Sequence, residues 1–198
     1  MGSPVVLRLA QLADAEAIRQ IYNAEVTTST VTFDILPRTL ADQRRYLSER
    51  SGAHAVIVAT DDSDQVLGYA ALSPWRSKPA YSTSVEDSVY VHPGHQGRGI
   101  GRILLTELVE VATAHGFHAV FARIVGGHGA SIKVHEALGF EVVGVEREVG
   151  RKFGRWLDVV VMELLLNPEA ADQTQVTQAN STQANDPPAN SPRSIGPR

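Results

Sequence analysis

The first segment that could do chemistry is a glycine-rich stretch at residues 92–101, which reads HPGHQGRGIG. Its backbone can approach a ligand without hindrance from Cβ atoms at Gly97, Gly99 and Gly101. A glycine-rich turn that leads into a helix points several amide groups at the positive end of the helix dipole, which favours anions. Arg98 and Arg102 add positive charge at the rim. The stretch therefore predicts a site for a phosphorylated ligand.

The elements that must position this loop are a strand before it and a helix after it. Residues 85–91, VEDSVYV, have the alternation and the β-branched and aromatic content of a strand. Apolar side chains then recur at helical spacing until Gly116, which predicts the helix end. The nucleotide-triphosphate motif G-x-x-x-x-G-K-[ST] is absent, and Arg102 stands where G-x-G-x-x-G requires glycine. What remains is Q-x-x-G-x-G, and a plain strand-to-helix turn is its alternative interpretation.

Composition narrows the class of protein. The chain has 198 residues, 43% of them hydrophobic and 20% charged, as expected for one globular domain. A net charge of -4 argues against a nucleic-acid partner, and the lack of cysteine excludes disulfides and zinc–thiolate sites. No signal peptide and no membrane-spanning apolar run are recognised. We expect a soluble, cytoplasmic protein without a membrane partner.

Strands and helices alternate along the rest of the chain, which predicts an α/β fold with a mixed sheet. Asp14 is the expected N-cap of the first helix, residues 23–36 are expected to form a loop, and Thr39 to Asp42 resembles a capping box. The predicted strands are 5–9, 54–60, 66–72, 85–91, 119–124, 141–148 and 156–165, and a short helix is predicted at 130–138. Residues 168–198 are rich in Ala, Gln, Thr, Asn, Ser and Pro, and are predicted to be a disordered low-complexity tail.

Three further segments, with Gln96 to Gly101, carry a family resemblance: 21–33 (IYN and STVTF), 85–93 (VEDSVYVHP) and 152–159 (KFGRWLDV). Together they resemble the phosphinothricin and methionine sulfone/sulfoximine branch of the GNAT (Gcn5-related) N-acetyltransferases. The resemblance implies a GNAT acyl-CoA N-acyltransferase domain over residues 1–167, with a central mixed β-sheet flanked by helices. It also implies acetyl-CoA as co-substrate, a small-molecule amine as acceptor, and a homodimer.

The same resemblance assigns the cofactor site. The strand backbone at Val89, Tyr90 and Val91 would pair with pantetheine, and the loop would hold the pyrophosphate. The loop residues concerned are Gln96, Gly97, Arg98, Gly99, Ile100 and Gly101. Ser131 and His128 would also contact the cofactor, although relatives usually carry asparagine at the second position and histidine imitates only part of its hydrogen bonding.

Two residues are predicted to be catalytic. Glu86 lies on the strand that leads into the loop, and is the candidate base for the amine, while strand alternation turns Asp87 to the opposite face. His135, which shares a helix face with Ser131, is a candidate acid or an assistant to the base. An ordinary solvated carboxylate and a packed structural histidine are the respective alternatives.

The predicted substrate-binding residues are Trp75, Arg76, Ser77, Tyr81, Val85, Glu86 and Asp87. Arg76 would pair with the substrate carboxylate, and Lys152 and Arg155 are further anion-binding candidates, with ordinary surface charge as the alternative. No metal is predicted, since His135-Glu136 lacks the second histidine of H-E-x-x-H, and His92 and His95 have no carboxylate or cysteine nearby.

The sequence thus predicts an acetyl-CoA-dependent N-acetyltransferase that acts on the α-amine of phosphinothricin, methionine sulfoximine, methionine sulfone or a similar compound. A protein N-terminal or lysine acetyltransferase and a non-catalytic acetyl-CoA sensor are the alternatives. The apolar run Val159 to Leu166 is interpreted either as part of a dimer interface or as core.

Overall fold

The computed structural model describes residues 4–50, 52–126 and 128–166, so the predicted tail lies outside the described residues. Seven strands form one sheet in the order β1-β2-β3-β4-β5-β7-β6. The strands are β1 Val6–Leu9, β2 Val56–Thr60, β3 Val66–Pro74, β4 Ser84–Val91, β5 Ala119–Val125, β6 Glu141–Lys152 and β7 Arg155–Leu165. The α-helices are α1 Ala15–Thr28, α2 Leu40–Ser48, α3 Ile100–Ala114 and α4 Gly129–Glu136.

The sheet is mixed, as predicted, because β4 and β5 pair in parallel while the other neighbouring strands pair antiparallel. The parallel pairing is short: Ser84, Val85 and Glu86 lie opposite Ala119, Val120 and Phe121. Among the described residues, β4 and β5 form no ladder pair beyond that of Glu86 with Phe121. The sheet therefore opens between β4 and β5 after Glu86, ahead of the glycine-rich loop that follows β4.

Alternating strand side chains divide the core between the two faces of the sheet. On one face, Leu104, Leu105 and Leu108 of α3 pack against Val85 and Val120, and side chains of α4 join this cluster. On the other face, α1 packs against a second cluster that contains Tyr69. We refer to these as the α3 face and the α1 face.

Helix α1 is longer than predicted. Residues 23–28, expected in a loop, continue the helix because Val26 is buried in the core and the hydroxyls of Thr27 and Thr28 donate to carbonyls one turn earlier. The predicted N-cap is confirmed in position, because Asp14 is the N-cap of α1, but its carboxylate makes no capping hydrogen bond and instead accepts from Arg8 and from the Gln11 amide. The capping box at Thr39 and Asp42 is confirmed.

The last hairpin is longer than predicted too. Strand β6 continues to Lys152 and turns into β7 through only Phe153 and Gly154, whose φ values are 50° and 76°. Positive φ at both central residues is typical of the tight type I′ hairpin. The run Val159 to Leu166 belongs mostly to β7, which lies between β5 and β6, so core packing explains it. Among the described residues, no helix is both long and apolar enough to cross a membrane.

Candidate active site

The opening between β4 and β5 continues into a cavity of about 560 Å³. Its walls come from these two strands, the glycine-rich loop, α4, and the segment that follows α1. The predicted site residues that line it are Glu86, Asp87, Val89, Tyr90, Val91, Gln96, Gly97, Gly99, Ile100, Gly101, His128, Ser131 and His135. The structure thus brings most of the predicted cofactor residues to one place.

The glycine-rich loop has the geometry expected of an anion site. Gly97 and Gly99 have φ values of 74° and 81°, which L side chains rarely adopt, and Gly99 is the N-cap of α3. A Cβ at either position would touch nothing within 4 Å, so backbone conformation rather than crowding requires the glycines. Because α3 starts here, its first amide groups and positive dipole end are available to a phosphate. Arg98 is the predicted loop residue that does not line the cavity, and its Nη1 lies 2.8 Å from Nδ1 of His95.

The strand residues after Glu86, from Asp87 to Val91, line the cavity. The Val91 carbonyl accepts a hydrogen bond of 3.3 Å from the Gln96 side chain, which ties the loop to the strand. The Tyr90 ring stacks on Tyr69 on the α1 face, with 5.2 Å between centroids. Both contacts fix the end of β4 that leads into the loop.

Glu86 lies on the α1 face, opposite Phe121 in the ladder, and its side chain lines the cavity. Burial raises the pKa of Glu86, and the nearby guanidinium of Arg123 partly opposes this rise. A carboxylate whose pKa is raised is a stronger base once it is ionised. The geometry therefore fits the predicted base better than a solvated strand carboxylate.

His135 forms a buried pair with Asp87 on the α3 face. Its Nε2 lies 2.9 Å from Oδ2 of Asp87, and its Nδ1 donates to the Ser131 carbonyl over 2.8 Å. Burial is the largest single influence and would lower the pKa of His135, but the hydrogen bond and charge of Asp87, together with the hydrogen bond to the Ser131 carbonyl, outweigh burial and raise the pKa. His135 is only 4% exposed, and both ring nitrogens are engaged. Strand alternation separates the pair from Glu86, so the prediction that His135 assists Glu86 directly is not supported.

Another part of the cavity wall comes from residues that were not predicted to belong to the site: Glu25, Val31, Thr32 and Phe33. The wall is held by the last hairpin, because Nζ of Lys152 donates to the Thr32 carbonyl over 2.8 Å and Gly150 packs under the Phe33 ring. Lys152 is only 4% exposed, so the prediction that it binds an anion is wrong: its ammonium is used internally. Arg155, opposite Lys152 in the hairpin, is exposed and does not line the cavity.

The predicted substrate loop lies beside the cavity rather than along its walls. Trp75 stacks on Phe121 at 4.3 Å, and the Arg76 guanidinium lies over Trp75 at 5.1 Å. Val85 is completely buried in the core, which makes its side chain structural. The predicted residues that do not line the cavity are Trp75, Arg76, Ser77, Tyr81 and Val85. Asp87 lines it, but its carboxylate is engaged by His135.

A basic residue that the sequence analysis missed also lines the cavity. Arg123 stands two residues after Phe121 on β5, and forms an ion pair with Glu146 of β6. The alternation of β5 would have placed it on the face of Glu86, but a single arginine in a strand reads as a surface charge. Among the described residues, no group of three or more His, Cys, Asp or Glu side chains is arranged to hold a metal ion.

Comparison with known proteins agrees with this geometry. The model of the acetyltransferase (GNAT) domain matches residues 7–161. An L-methionine sulfoximine/L-methionine sulfone acetyltransferase from Pseudomonas aeruginosa PAO1 is 40% identical over 163 residues, 82% of this chain and 95% of that protein. A phosphinothricin N-acetyltransferase from Streptomyces coelicolor is 44% identical over 153 residues, 76% of this chain and 90% of that protein.

Solved structures agree as well. A GNAT superfamily phosphinothricin acetyltransferase from Sinorhizobium meliloti, in complex with acetyl-CoA, superposes with a TM-score of 0.78 at 40% identity, over 81% of this chain and 88% of that one. The fold is thus shared with a structure that holds acetyl-CoA. This chain belongs to the GNAT acetyltransferase family.

Proposed function

We propose that the protein transfers an acetyl group from acetyl-CoA to the α-amine of a small amino-acid-like acceptor of the methionine sulfoximine, methionine sulfone or phosphinothricin type. The observation that carries the proposal is that an anion-binding loop and the partly buried carboxylate of Glu86 line the same cavity. Glu86 stands near the start of β4, and the loop follows the end of that strand. The relatives described above support the substrate class.

The donor set of the chain fits acetyl-CoA. The left-handed Gly97 and Gly99, with the first amides of α3, form a cradle for a pyrophosphate. Among the described residues, the edge of β4 from Asp87 to Val91 has no ladder partner from β5. Its backbone groups can pair with an amide-bearing chain, apart from the Val91 carbonyl, which accepts from Gln96. His128 and Ser131 border the same space from α4. Acetyl-CoA, when bound, supplies the acetyl group activated as a thioester.

Glu86 is the proposed base. An ammonium group cannot attack a thioester, so the acceptor must lose a proton before the new N–C bond forms and the C–S bond breaks. Burial of Glu86 raises its pKa, which increases its proton affinity toward that of the amine. The carboxylate on the α1 face removes one proton, directly or through a water molecule, and releases it to solvent. The amine nitrogen loses a second proton as the C–S bond breaks, and this proton goes to the departing thiolate. The products are the N-acetylated acceptor and coenzyme A as its thiol.

His135 and Asp87 form the wall on the opposite face of the sheet. We assign them to positioning, because the hydrogen bond between His135 and Asp87 links α4 to β4 beside the opening in which the thioester would lie, while the bond to the Ser131 carbonyl orients the imidazole within α4. A role of His135 as the acid that protonates the departing thiolate requires the Asp87 hydrogen bond to be exchanged for one to sulfur. The positioning role uses the hydrogen bonds as they stand.

A small acceptor fits better than a polypeptide. The segment with Thr32 and Phe33 forms part of the cavity wall, and the buried ammonium of Lys152 holds this segment in place. A protein N-terminus or a lysine side chain would need an open groove on this side. A wall fixed in this way supports a free amino-acid-like molecule.

The proposal also includes a homodimer and a cytoplasmic role in resistance to such compounds. The dimer is supported by apolar side chains that stand exposed on the edge strand β6, namely Val142, Val143, Val145 and Val149. A second copy of the chain would remove them from water. The resistance role follows from the substrate class, and tolerance of a sensitive host to methionine sulfoximine would test it.

The function is tested by thiol release from acetyl-CoA with a panel of acceptors. The panel holds methionine sulfoximine, methionine sulfone, phosphinothricin, ordinary amino acids, a polyamine and a peptide. We expect turnover with the amino-acid analogues and none with the peptide. Turnover confined to the peptide would favour a protein acetyltransferase, and coenzyme binding without any turnover would favour a sensor.

A further inference from the structure

We propose that Arg123 determines acceptor specificity by binding the α-carboxylate of the acceptor, with Glu146 as the internal counter-ion that the carboxylate displaces in part. The inference rests on the proposed function, because it names the group of the acceptor that the same cavity recognises. It replaces Arg76, the residue that the sequence favoured for this role.

The placement of Arg123 comes first. Its neighbours on β5, Ala122 and Ile124, belong to the core cluster of the α3 face, so the Arg123 side chain stands on the opposite face. Glu86 is on that face too, since it pairs with Phe121 two residues before Arg123. Both Glu86 and Arg123 line the cavity. The proposed base and the guanidinium therefore border the same space.

The geometry of an α-amino acid requires these two groups to be neighbours. The amine nitrogen and the carboxyl carbon share one Cα, so they are about 2.5 Å apart. Whatever binds the carboxylate must therefore lie close to the base that takes the proton from the amine. The influence of Arg123 on the pKa of Glu86 is consistent with this proximity.

The other basic groups that line the cavity stand on the elements of the proposed cofactor site. Among the described residues, His95 and Arg102 belong to the glycine-rich loop and its helix, while His128 and His135 belong to the α4 side. Arg123 is the remaining basic residue of the lining. Arg76, by contrast, lies over Trp75 and outside the lining.

Arg123 keeps the capacity to bind a ligand. Its side chain is 33% exposed, and its hydrogen bond within the described residues runs from Nη2 to Oε2 of Glu146. A guanidinium has five N–H donors in a rigid fork, so donors remain for a carboxylate. Glu146, on β6, does not line the cavity and forms its ion pair with Arg123 from outside it.

The test compares a free acid with its amide. Kcat/KM is measured for L-methionine sulfone and for its carboxamide, on the alkaline plateau of the rate so that Glu86 is ionised in every variant. In Arg123→Gln we expect kcat/KM for the free acid to fall about 10- to 100-fold, the range for a lost hydrogen bond to a charged group. The carboxamide, which has no charge to lose, should be nearly unaffected. For Arg123→Lys we expect an intermediate loss of kcat/KM for the free acid, since an ammonium keeps the charge but cannot form the two-pronged hydrogen bond of a guanidinium.

Glu146→Gln tests the counter-ion and gives a result of opposite sign. The amide oxygen still accepts from Nη2, but the competing negative charge is gone, so the preference for the free acid should rise a few-fold. Arg44→Gln on α2 is the matched control for loss of an exposed arginine outside the cavity. Acetyl-CoA affinity checks that each variant is folded. If Arg123→Gln does not fold, Arg123→Lys and Glu146→Gln carry the test.

An unchanged acid-to-amide ratio in Arg123→Gln would overturn the inference while leaving the proposed function intact. The same holds if the wild type does not distinguish acid from amide, or if Arg76→Gln rather than Arg123→Gln removes the distinction. Failure of the wild type to acetylate either compound or any other amine would instead refute the proposed function.

Discussion

Replacing Gly150 by alanine should move Phe33 and thereby alter the acceptor half of the cavity without touching the cofactor half. A Cβ at Gly150 would lie 2.7 Å, 2.9 Å and 3.0 Å from three atoms of the Phe33 ring. Carbon atoms in van der Waals contact are about 3.5–4.0 Å apart, so the ring must retreat by about 1 Å. Phe33 lines the cavity, and Lys152 holds the carbonyl of the preceding Thr32, so we expect the displaced ring to change the shape of the space proposed for the acceptor.

The magnitude follows from the cost of overpacking, which is about 1–3 kcal/mol for an extra methyl group in a packed site. Gly144→Ala is the matched control: it lies on the same strand, and a Cβ there would meet nothing within 4 Å. The control should be neutral or slightly stabilising. For a chain of this size, the two variants should differ in Tm by about 2–12 °C.

The assay measures Tm, the Kd for acetyl-CoA, and KM for methionine sulfone. We expect Gly150→Ala to lower Tm and raise KM for the acceptor, with an unchanged Kd for acetyl-CoA. In a Phe33→Ala background, Gly150→Ala should cost nothing more, because the clashing ring is gone. Equal Tm and KM values for Gly150→Ala and Gly144→Ala would refute the reasoning, and so would an undiminished effect in the Phe33→Ala background.

Two further predictions concern the cofactor side. Asp87→Asn should remove about 1.5–3 kcal/mol of stability, the worth of a hydrogen bond to a charged group. Because the pKa of His135 is raised in the folded state, this stability is fully present below the unfolded histidine pKa and is lost as pH rises through the folded value. Chemical denaturation of wild type and variant across that pH range measures the loss. A loss of stability that does not depend on pH would contradict the ion pair. Gly99→Ala should weaken acetyl-CoA binding, since φ of 81° costs an L residue about 1–2 kcal/mol. Calorimetric titration measures the loss, Gly129→Ala is the control at a glycine without positive φ, and equal affinities for the two variants would contradict the cradle.

The parts of the structure that were predictable from sequence are those set by local patterns. The glycine-rich loop is readable because left-handed glycines before a helix leave a local sequence signature, and the alternation of β4 correctly assigned Glu86 and Asp87 to opposite faces. The capping box at Thr39 is likewise a four-residue pattern.

The parts that were missed depend on contacts between distant segments. His135 and Asp87 are 48 positions apart, and nothing near either residue in the sequence announces the other. The wall around Phe33 is defined by Lys152, which lies 120 positions after Thr32. A lysine reads as a surface charge in sequence, and only the tertiary contacts with backbone carbonyls explain its burial. Arg123 was overlooked for the same reason, since only the opening between β4 and β5 turns this strand residue into part of a cavity wall.

The central claim is that Glu86 removes the proton from the acceptor amine. Glu86→Gln tests it most directly, because glutamine keeps the size of the side chain but cannot act as a base. The measurement is the rate of thiol release at saturating acetyl-CoA and methionine sulfone, beside the Kd for acetyl-CoA. The account predicts a fall in kcat of about 10²- to 10⁴-fold with an unchanged Kd. The wild-type rate should also decline in acid through the raised pKa of Glu86, at higher pH than for an ordinary carboxylate. A Glu86→Gln variant that keeps kcat within a few-fold of wild type would contradict the claim.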